Sequence, residues 1–361
     1  MGVRARRTER RRRGVVESDL HWRERRAMIP RASVLLPVRD AAATLAASLR
    51  SVSRQRLTEL ECIVVDDGSR DASLAIARDH ARGDPRFRVF AEPALGLVPA
   101  LLRGLAECRA PFVARHDADD WMHRDRLALQ VAALDGDPHL AGVGCHVRLF
   151  PRSALGPGMR AYERWLAGVC TPADVRREAF VECPLAHPAL VLRSEVLRAH
   201  TYCDLGWPED YDLVLRLLAA GHELGVVPRR LLAWRHTPER LSQRSAVYGP
   251  DRFTACKAHH LARGPLAHSP RYWLWGYGGT GRALAKALRA HGRHPDAIVE
   301  LHPRRIGQRI QGAPVIAPHE LGPPGKLPLI VSVAGAEARA RIRAELARRG
   351  WREGADYVCA A

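Results

Sequence analysis

The sequence predicts an α/β protein, a mostly parallel sheet followed by a second, smaller α/β unit. Three observations carry this expectation. Short β-branched runs alternate with longer Ala/Leu/Arg stretches of helical period, which is the rhythm of βαβ units. Clusters of aspartate directly follow the second and fourth of the apolar runs. The 361 residues also exceed the usual span of one domain, for which about 150 is the ordinary measure.

Taken in order, a strand is expected over 33–38, a helix over 41–53, a strand over 61–66 and a helix over 71–82. A strand over 86–91, a helix over 97–109, a strand over 112–116 and a helix over 124–134 complete the first series. Residues 150–182 are less regular. Ala189 to Leu192 has strand character, and Glu209 to Ala220 forms an amphipathic helix closed by Gly221. Gly264, Pro265 and Pro270 mark a linker over 263–270, so the first domain is expected to span 32–262 and the second 271–361. The second holds strands 272–276, 297–300, 328–334 and 356–359, with helices 280–291 and 336–349.

Composition narrows the classes. Hydrophobic residues make up 47% and charged residues 27%, values of a chain that buries real cores. No run approaches about 18 apolar residues and the first residues lack an apolar signal core, so a cytosolic protein is expected. The eight cysteines contain no Cys-x-x-Cys pair, and they are expected to be reduced. The net charge is +18, yet only three of the 57 basic residues are lysines, a skew that looks like codon bias. Residues 1–31 form a basic tail expected to be disordered; ten arginines precede Met28, which is a candidate native start.

The chemistry is concentrated at strand ends. Asp66-Asp67-Gly68-Ser69 ends the second strand and His116-Asp117-Ala118-Asp119-Asp120 ends the fourth. In an open parallel sheet, ligands bind beyond the carboxyl ends of the strands, so both clusters should face one crevice. Carboxylates so close repel unless a cation or hydrogen-bond donors compensate, and hard oxygen ligands suit Mg²⁺ or Mn²⁺ better than zinc. Such a metal usually shares its sphere with phosphates, which points to a nucleoside diphosphate derivative.

These residues resemble the family 2 glycosyltransferases of the GT-A fold. The likeness runs from Ser33-Val34-Leu35-Leu36-Pro37-Val38, through Ile63–Ser69 and Gly96-Leu97, to Ala114–Asp120, and covers about 230 residues. It implies a metal-dependent, inverting transfer of sugar from a nucleotide-diphosphate sugar to an acceptor hydroxyl, in polysaccharide, glycolipid, glycoconjugate or cell-wall synthesis. By resemblance, Asp66 and Asp67 hold the base or ribose, with Pro37 and Val38 shaping the same pocket. Asp117-Ala118-Asp119 resembles the Asp-x-Asp motif, where Asp119 ligates Mn²⁺ or Mg²⁺ and Asp117 meets ribose or sugar hydroxyls beside the metal. Arg115 sits where a basic residue could meet phosphate or sugar. Trp207-Pro208-Glu209-Asp210 resembles the Glu-Asp motif, which makes Asp210 the general base and Glu209 its neighbour, with Trp207 on the acceptor side. His187, in Cys183-Pro184-Leu185-Ala186-His187-Pro188, resembles an acceptor-side residue. Trp234-Arg235-His236, with Ser242 after it, resembles the loop that closes over the diphosphate, giving His236 as a further metal or phosphate contact. Two positions depart from the family pattern: Leu101-Leu102-Arg103 stands where an asparagine is usual, and so does Asp40.

In the second unit, Gly276-Tyr277-Gly278-Gly279-Thr280-Gly281 is a Gly-x-Gly-x-x-Gly between a strand and a helix, with Glu300 ending the next strand. The unit resembles the small Rossmann-like domains that precede sugar acyltransferases. Gly276, Gly278, Gly281 and Glu300 therefore form a candidate second site for NAD, a nucleotide or a nucleotide sugar, set against a purely structural role.

Other classes fit less well. A nucleotidyltransferase needs a glycine-rich basic loop after the first strand, and Leu36–Asp40 has none. A basic nucleic-acid-binding protein calls for clustered basic and aromatic residues, whereas arginine is spread along the chain and aromatics are 6%. A bifunctional NAD-dependent oxidoreductase calls for a Tyr-x-x-x-Lys or comparable constellation, which is absent. The expected partners are a nucleotide-sugar donor and a carbohydrate, lipid-linked or protein acceptor, with no specific nucleic acid. The basic surface leaves room for peripheral contact with the inner face of the plasma membrane.

Overall fold

A strand covered on both faces has no polar side to alternate with, and the run Ala-Ser-Val-Leu-Leu-Pro-Val meets that condition: every residue of β1 (Ala32–Val38) is buried. The computed structural model describes residues 29–237 and 245–361. The expected basic tail up to Met28, and Ser242, lie outside the described residues.

β1 pairs in parallel with β2 (Leu60–Asp67) and β4 (Phe112–Arg115), and β2 pairs in parallel with β3 (Phe87–Glu92). The intervening helices are α1 (Ala42–Ser53), α2 (Ser73–Gly83) and α3 (Leu97–Glu107). Gly104 lets α3 lie flat on the sheet, because a Cβ there would stand 2.3 Å from Leu35 Cδ1. Helix α2 begins two residues later than expected, because Asp71 Oδ1 accepts from the Ser73 N–H at 2.9 Å and makes a turn of the residues just ahead of it.

The sheet then changes direction. A short β5 (Trp121–Met122), α4 (Arg126–Gly136) and β6 (Leu140–Phe150) are followed by α5 (Pro157–Ala167), α6 (Pro172–Glu178), β7 (Val191–Arg193) and α7 (Ser194–His200). After α8 (Glu209–Ala219) comes β8 (Glu223–Arg235), and the full order is β3-β2-β1-β4-β7-β6-β8-β5. β6 and β8 pair in parallel over their length, and they were not expected as strands. Gly142 and Gly144 dilute the apolar run of β6, while Pro228, Arg229 and Arg230 interrupt β8 where the register shifts.

The second sheet follows α9 (Pro250–Arg263). Its elements are β9 (Arg271–Trp275), α10 (Gly279–Arg289), β10 (His294–Val299), the hairpin β11 (Arg309–Ile310) and β12 (Ala313–Ile316), β13 (Leu329–Val331), α11 (Ala336–Arg348) and β14 (Tyr357–Cys359). The order is β11-β12-β10-β9-β13-β14, with β12 through β14 parallel. Helix α9 belongs to both units: Cys256 packs into the first core, while Ala258, Leu261 and Ala262 join Tyr272, Leu284 and Leu288 in the second. Leu266, inside the stretch expected as a linker, is fully buried in that second core. Among the described residues no helix is long and apolar enough to cross a membrane.

Candidate active site

The carboxyl ends of β1, β2 and β4 open into one cavity of about 1520 Å³. Pro37 and Val38, the last residues of β1, line it. The next residues turn sharply: Asp40 has φ of 47°, a region in which Asp and Asn are tolerated, and its Oδ1 accepts from the Arg70 N–H at 2.7 Å. That conformation accounts for an aspartate standing where asparagine is usual.

The two acids ending β2 have different duties. Asp67 lines the cavity, accepting from the Leu95 N–H at 2.7 Å, the Gly96 N–H at 3.0 Å and Arg39 at 3.1 Å. Asp66 is buried and does not line the cavity; its Oδ2 accepts from the Ser69 N–H at 3.1 Å and closes the turn. Of the two acids expected to face the donor, only Asp67 faces the cavity, because a strand's successive side chains point to opposite faces. Gly68 sits at φ of 65°, where a Cβ would stand 2.7 Å from Ala94 N, so only glycine makes this turn.

At the end of β4, carboxylate oxygens of Asp117, Asp119 and Asp120 come within 4.8 Å of one another. Three carboxylates so placed are a hard oxygen donor set that fits Mn²⁺ or Mg²⁺. Positive charge and donors surround them. Arg115 is buried and pairs with Asp117 at 2.7 Å; burial alone would favour its neutral form, but the carboxylate keeps it charged. Below, fully buried Arg126 donates Nη2 to the Arg115 carbonyl at 3.0 Å and Nε to Gln130 at 2.9 Å. His116 is also fully buried, its Nε2 lies 3.1 Å from the Ser48 hydroxyl, and burial holds its pKa well below the usual histidine range.

The end of β8 fastens the acidic turn. The Arg235 N–H donates to Asp120 Oδ1 at 2.7 Å, its Nε donates to the Asp119 carbonyl at 2.9 Å, and its guanidinium stacks 4.6 Å from the Phe150 ring centre. Reading along the chain missed this role of Arg235, since β8 itself was missed. His236 lines the same cavity, and its N–H donates to the Phe150 carbonyl at 2.7 Å.

Across the cavity, Glu209 and Asp210 open α8, where the helix dipole favours acids. Asp210 lines the cavity, and its Oδ1 accepts from the Tyr211 N–H at 2.7 Å. Burial, reinforced by the adjacent Glu209 charge, pushes the Asp210 carboxyl up to about 6. Glu209 goes the other way. Burial would raise it, but His187, whose Nδ1 stands 3.6 Å away, and the Tyr248 hydroxyl, which donates at 2.6 Å, hold it below the usual carboxylate range. His187 is itself held through Nε2 against the Tyr202 hydroxyl at 3.0 Å. Tyr202 and Tyr248 have no motif around them, and only the folded chain brings them to Glu209.

Trp207 does not belong to this set. Its ring lies 5.0 Å from His259 and its Nε1 donates to Asp212 at 3.2 Å, so it does not line the cavity and the expected acceptor-side role is corrected. Asp212, Cys256 and His260 also converge, but the Asp212 oxygens already accept from His260 at 2.9 Å, Arg216 at 2.7 Å and Trp207, which makes a hydrogen-bonded brace between α8 and α9.

In the second unit two of the three glycines, Gly276 and Gly281, answer to packing. A Cβ on Gly281 would stand 2.1 Å from the Gly276 carbonyl, Gly276 has φ of 94°, and Gly278 faces open space. Glu300 Oε1 accepts from the Tyr277 N–H at 3.1 Å and from Arg305 at 3.2 Å, holding the turn. Neither these three glycines nor Glu300 line the large cavity, although Thr280 does.

Comparison with known proteins agrees with this architecture. The sequence profile of "Glycosyl transferase family 2" matches residues 33–199. The amylovoran biosynthesis glycosyltransferase AmsE of Erwinia amylovora is 30% identical over 198 residues, covering 54% of this chain and 72% of AmsE. The putative glycosyltransferase EpsE of Bacillus subtilis is 26% identical over 238 residues, covering 63% of this chain and 82% of EpsE. Among solved structures, S. aureus TarS 1–349 in complex with UDP-GlcNAc superposes with a TM-score of 0.53 at 18% identity, over 72% of each chain, a likeness of fold. The chain thus belongs to glycosyltransferase family 2, an enzyme that transfers glycosyl groups on a GT-A fold.

Proposed function

We propose that the protein transfers a sugar from a nucleoside diphosphate sugar to an acceptor hydroxyl, inverting the anomeric centre, with Mn²⁺ or Mg²⁺ bound at the acidic turn. The observation that carries this reading is a single cavity with a three-carboxylate turn on one wall and Asp210, raised to about 6, on another. TarS, seen with UDP-GlcNAc, supports a nucleotide-sugar donor, and AmsE supports a place in polysaccharide synthesis.

The chain's own groups divide the work. Pro37, Val38 and Asp67 receive the base and ribose. Asp119 and Asp117 hold the metal, and Arg115 stands behind Asp117 to balance its charge. The bound metal supplies Lewis-acid stabilisation of the departing diphosphate. Asp210, poised near neutrality, accepts the proton of the attacking hydroxyl. Glu209 stays ionised between His187 and Tyr248 and keeps the Asp210 proton affinity high. Attack from the Asp210 side, opposite the leaving group, inverts the configuration.

Calorimetry of UDP, GDP, CDP and dTDP with and without Mn²⁺ tests the reading. One nucleotide binds the wild type only with metal, and Asp119→Ala loses that metal dependence. Equal affinity in the two proteins overturns the metal assignment.

A further inference from the structure

Most small-molecule pockets measure roughly 300–1,000 Å³. The cavity here, at about 1520 Å³, is larger, and it does not end at Asp210. It continues past Phe253 and Lys257 of α9 to the second sheet, where Thr280, Leu284, Ala334 and Gly335 line it.

The second sheet presents its ligand-receiving edge to that space. Strand order runs from β9 outward to β10 and β12 on one side and to β13 and β14 on the other, so the crevice lies beyond the carboxyl ends of β9 and β13. Thr280 follows β9 and Ala334-Gly335 follow β13, at that very crevice. The two units are held in register around it. Lys257 Nζ donates to the Val181 carbonyl at 3.1 Å and the Ala360 carbonyl at 2.8 Å, and Arg343 of α11 pairs with Glu178 of α6 at 2.9 Å. Phe180 packs against the second unit's core.

We propose that the six-stranded unit is the acceptor wall of the transfer site, and that it selects an amphiphilic acceptor: a sugar whose hydroxyl reaches Asp210 and whose apolar aglycone lies between α9 and the starts of α10 and α11. The proposal rests on the transfer reading above. Its chemical class follows from the wall: the second unit's lining side chains, those of Thr280, Leu284, Ala334 and Ala360, carry no charge and no amide, and the Ala361 carboxyl oxygen beside them is already engaged by Arg339 at 2.8 Å. A wall that gripped a free sugar would need such groups to replace the water on its hydroxyls. Phe253 and Ala334, with the edge of the buried Leu284 behind them, instead match an apolar body.

The test uses the full chain saturated with the nucleoside diphosphate it binds and Mn²⁺. Octyl β-D-glucopyranoside, below its micelle threshold, and D-glucose are titrated by calorimetry into the wild type, Thr280→Trp and Ala334→Trp. Both positions are exposed, so the larger side chains enter the cavity without disturbing the core. The wild type binds the octyl glycoside at least about tenfold more tightly than glucose, and each tryptophan weakens it by about tenfold or more while nucleotide affinity holds within about twofold. Equal affinity for the two ligands, no binding of the octyl glycoside, or binding indifferent to both tryptophans overturns the acceptor wall. Absence of metal-dependent binding of every nucleoside diphosphate is a separate result and removes the transfer reading itself.

Discussion

Asp210→Asn should abolish transfer and at the same time make the protein more stable at neutral pH. The side chain is nearly isosteric, and the amide oxygen can still accept from the Tyr211 N–H that now donates at 2.7 Å. What changes is the charge. The Asp210 carboxyl rises from 3.8 to about 6 in the folded chain, chiefly through burial and then through Glu209. An acid whose pKa is raised by folding binds its proton more tightly in the native state, so stability is intact below the unfolded value and is lost as pH rises through the folded one. At about 1.36 kcal/mol for each tenfold change in proton affinity, the ionised group costs the native state about 3 kcal/mol at pH 7. Asparagine removes that cost. Urea unfolding of both proteins, without nucleotide or metal, measures it. The variant gains up to about 3 kcal/mol at pH 7, and the gain shrinks toward zero near pH 4. In the wild type the transfer rate should fall about tenfold per pH unit below 6, because the protonated carboxyl cannot accept the acceptor's proton. A variant no more stable than wild type at pH 7, or a gain that ignores pH, refutes the argument, and a fully active variant removes the base assignment.

Other outcomes follow from the same geometry. Tyr248→Phe leaves the buried Glu209 carboxylate without its 2.6 Å donor, so unfolding experiments should show a loss of roughly 1.5–3 kcal/mol. Arg235→Ala keeps the backbone N–H bond to Asp120 but removes the Nε bond to the Asp119 carbonyl and the stacking on Phe150, and it should weaken metal-dependent nucleotide binding, with calorimetry as the check. Gly281→Ala places a Cβ 2.1 Å from the Gly276 carbonyl, and thermal unfolding should report a cost of about 1–3 kcal/mol or more.

Much of the candidate site was readable along the chain because its carboxylates sit at strand ends and at a helix start inside short motifs. Asp67, Asp117, Asp119, Glu209 and Asp210 each follow or open an element whose period is plain, and all line one cavity. Where the reading fell short, side-chain direction was the cause. Asp66 and Trp207 lie in the right motifs but point elsewhere, one closing a turn and the other bracing α8 against α9. The bonds of Arg235 to the acidic turn, and Tyr202 and Tyr248 altogether, were passed over because the partners stand 115, 15 and 39 residues away in the chain.

By itself, the sequence determined the first alternating strands and helices, the helix that opens with Glu209 and Asp210, and which carboxylates gather at the edge of the first sheet. Those are local matters, decided by periodicity, turn chemistry and the side-chain types a divalent cation accepts. The tertiary structure alone decided which of two adjacent acids faces the cavity, which buried arginines balance the acidic turn, and that α9 carries the second sheet's open edge to the transfer site. Those outcomes depend on long-range packing and on charges placed side by side by folding, whose strength is set by burial that no stretch of sequence displays.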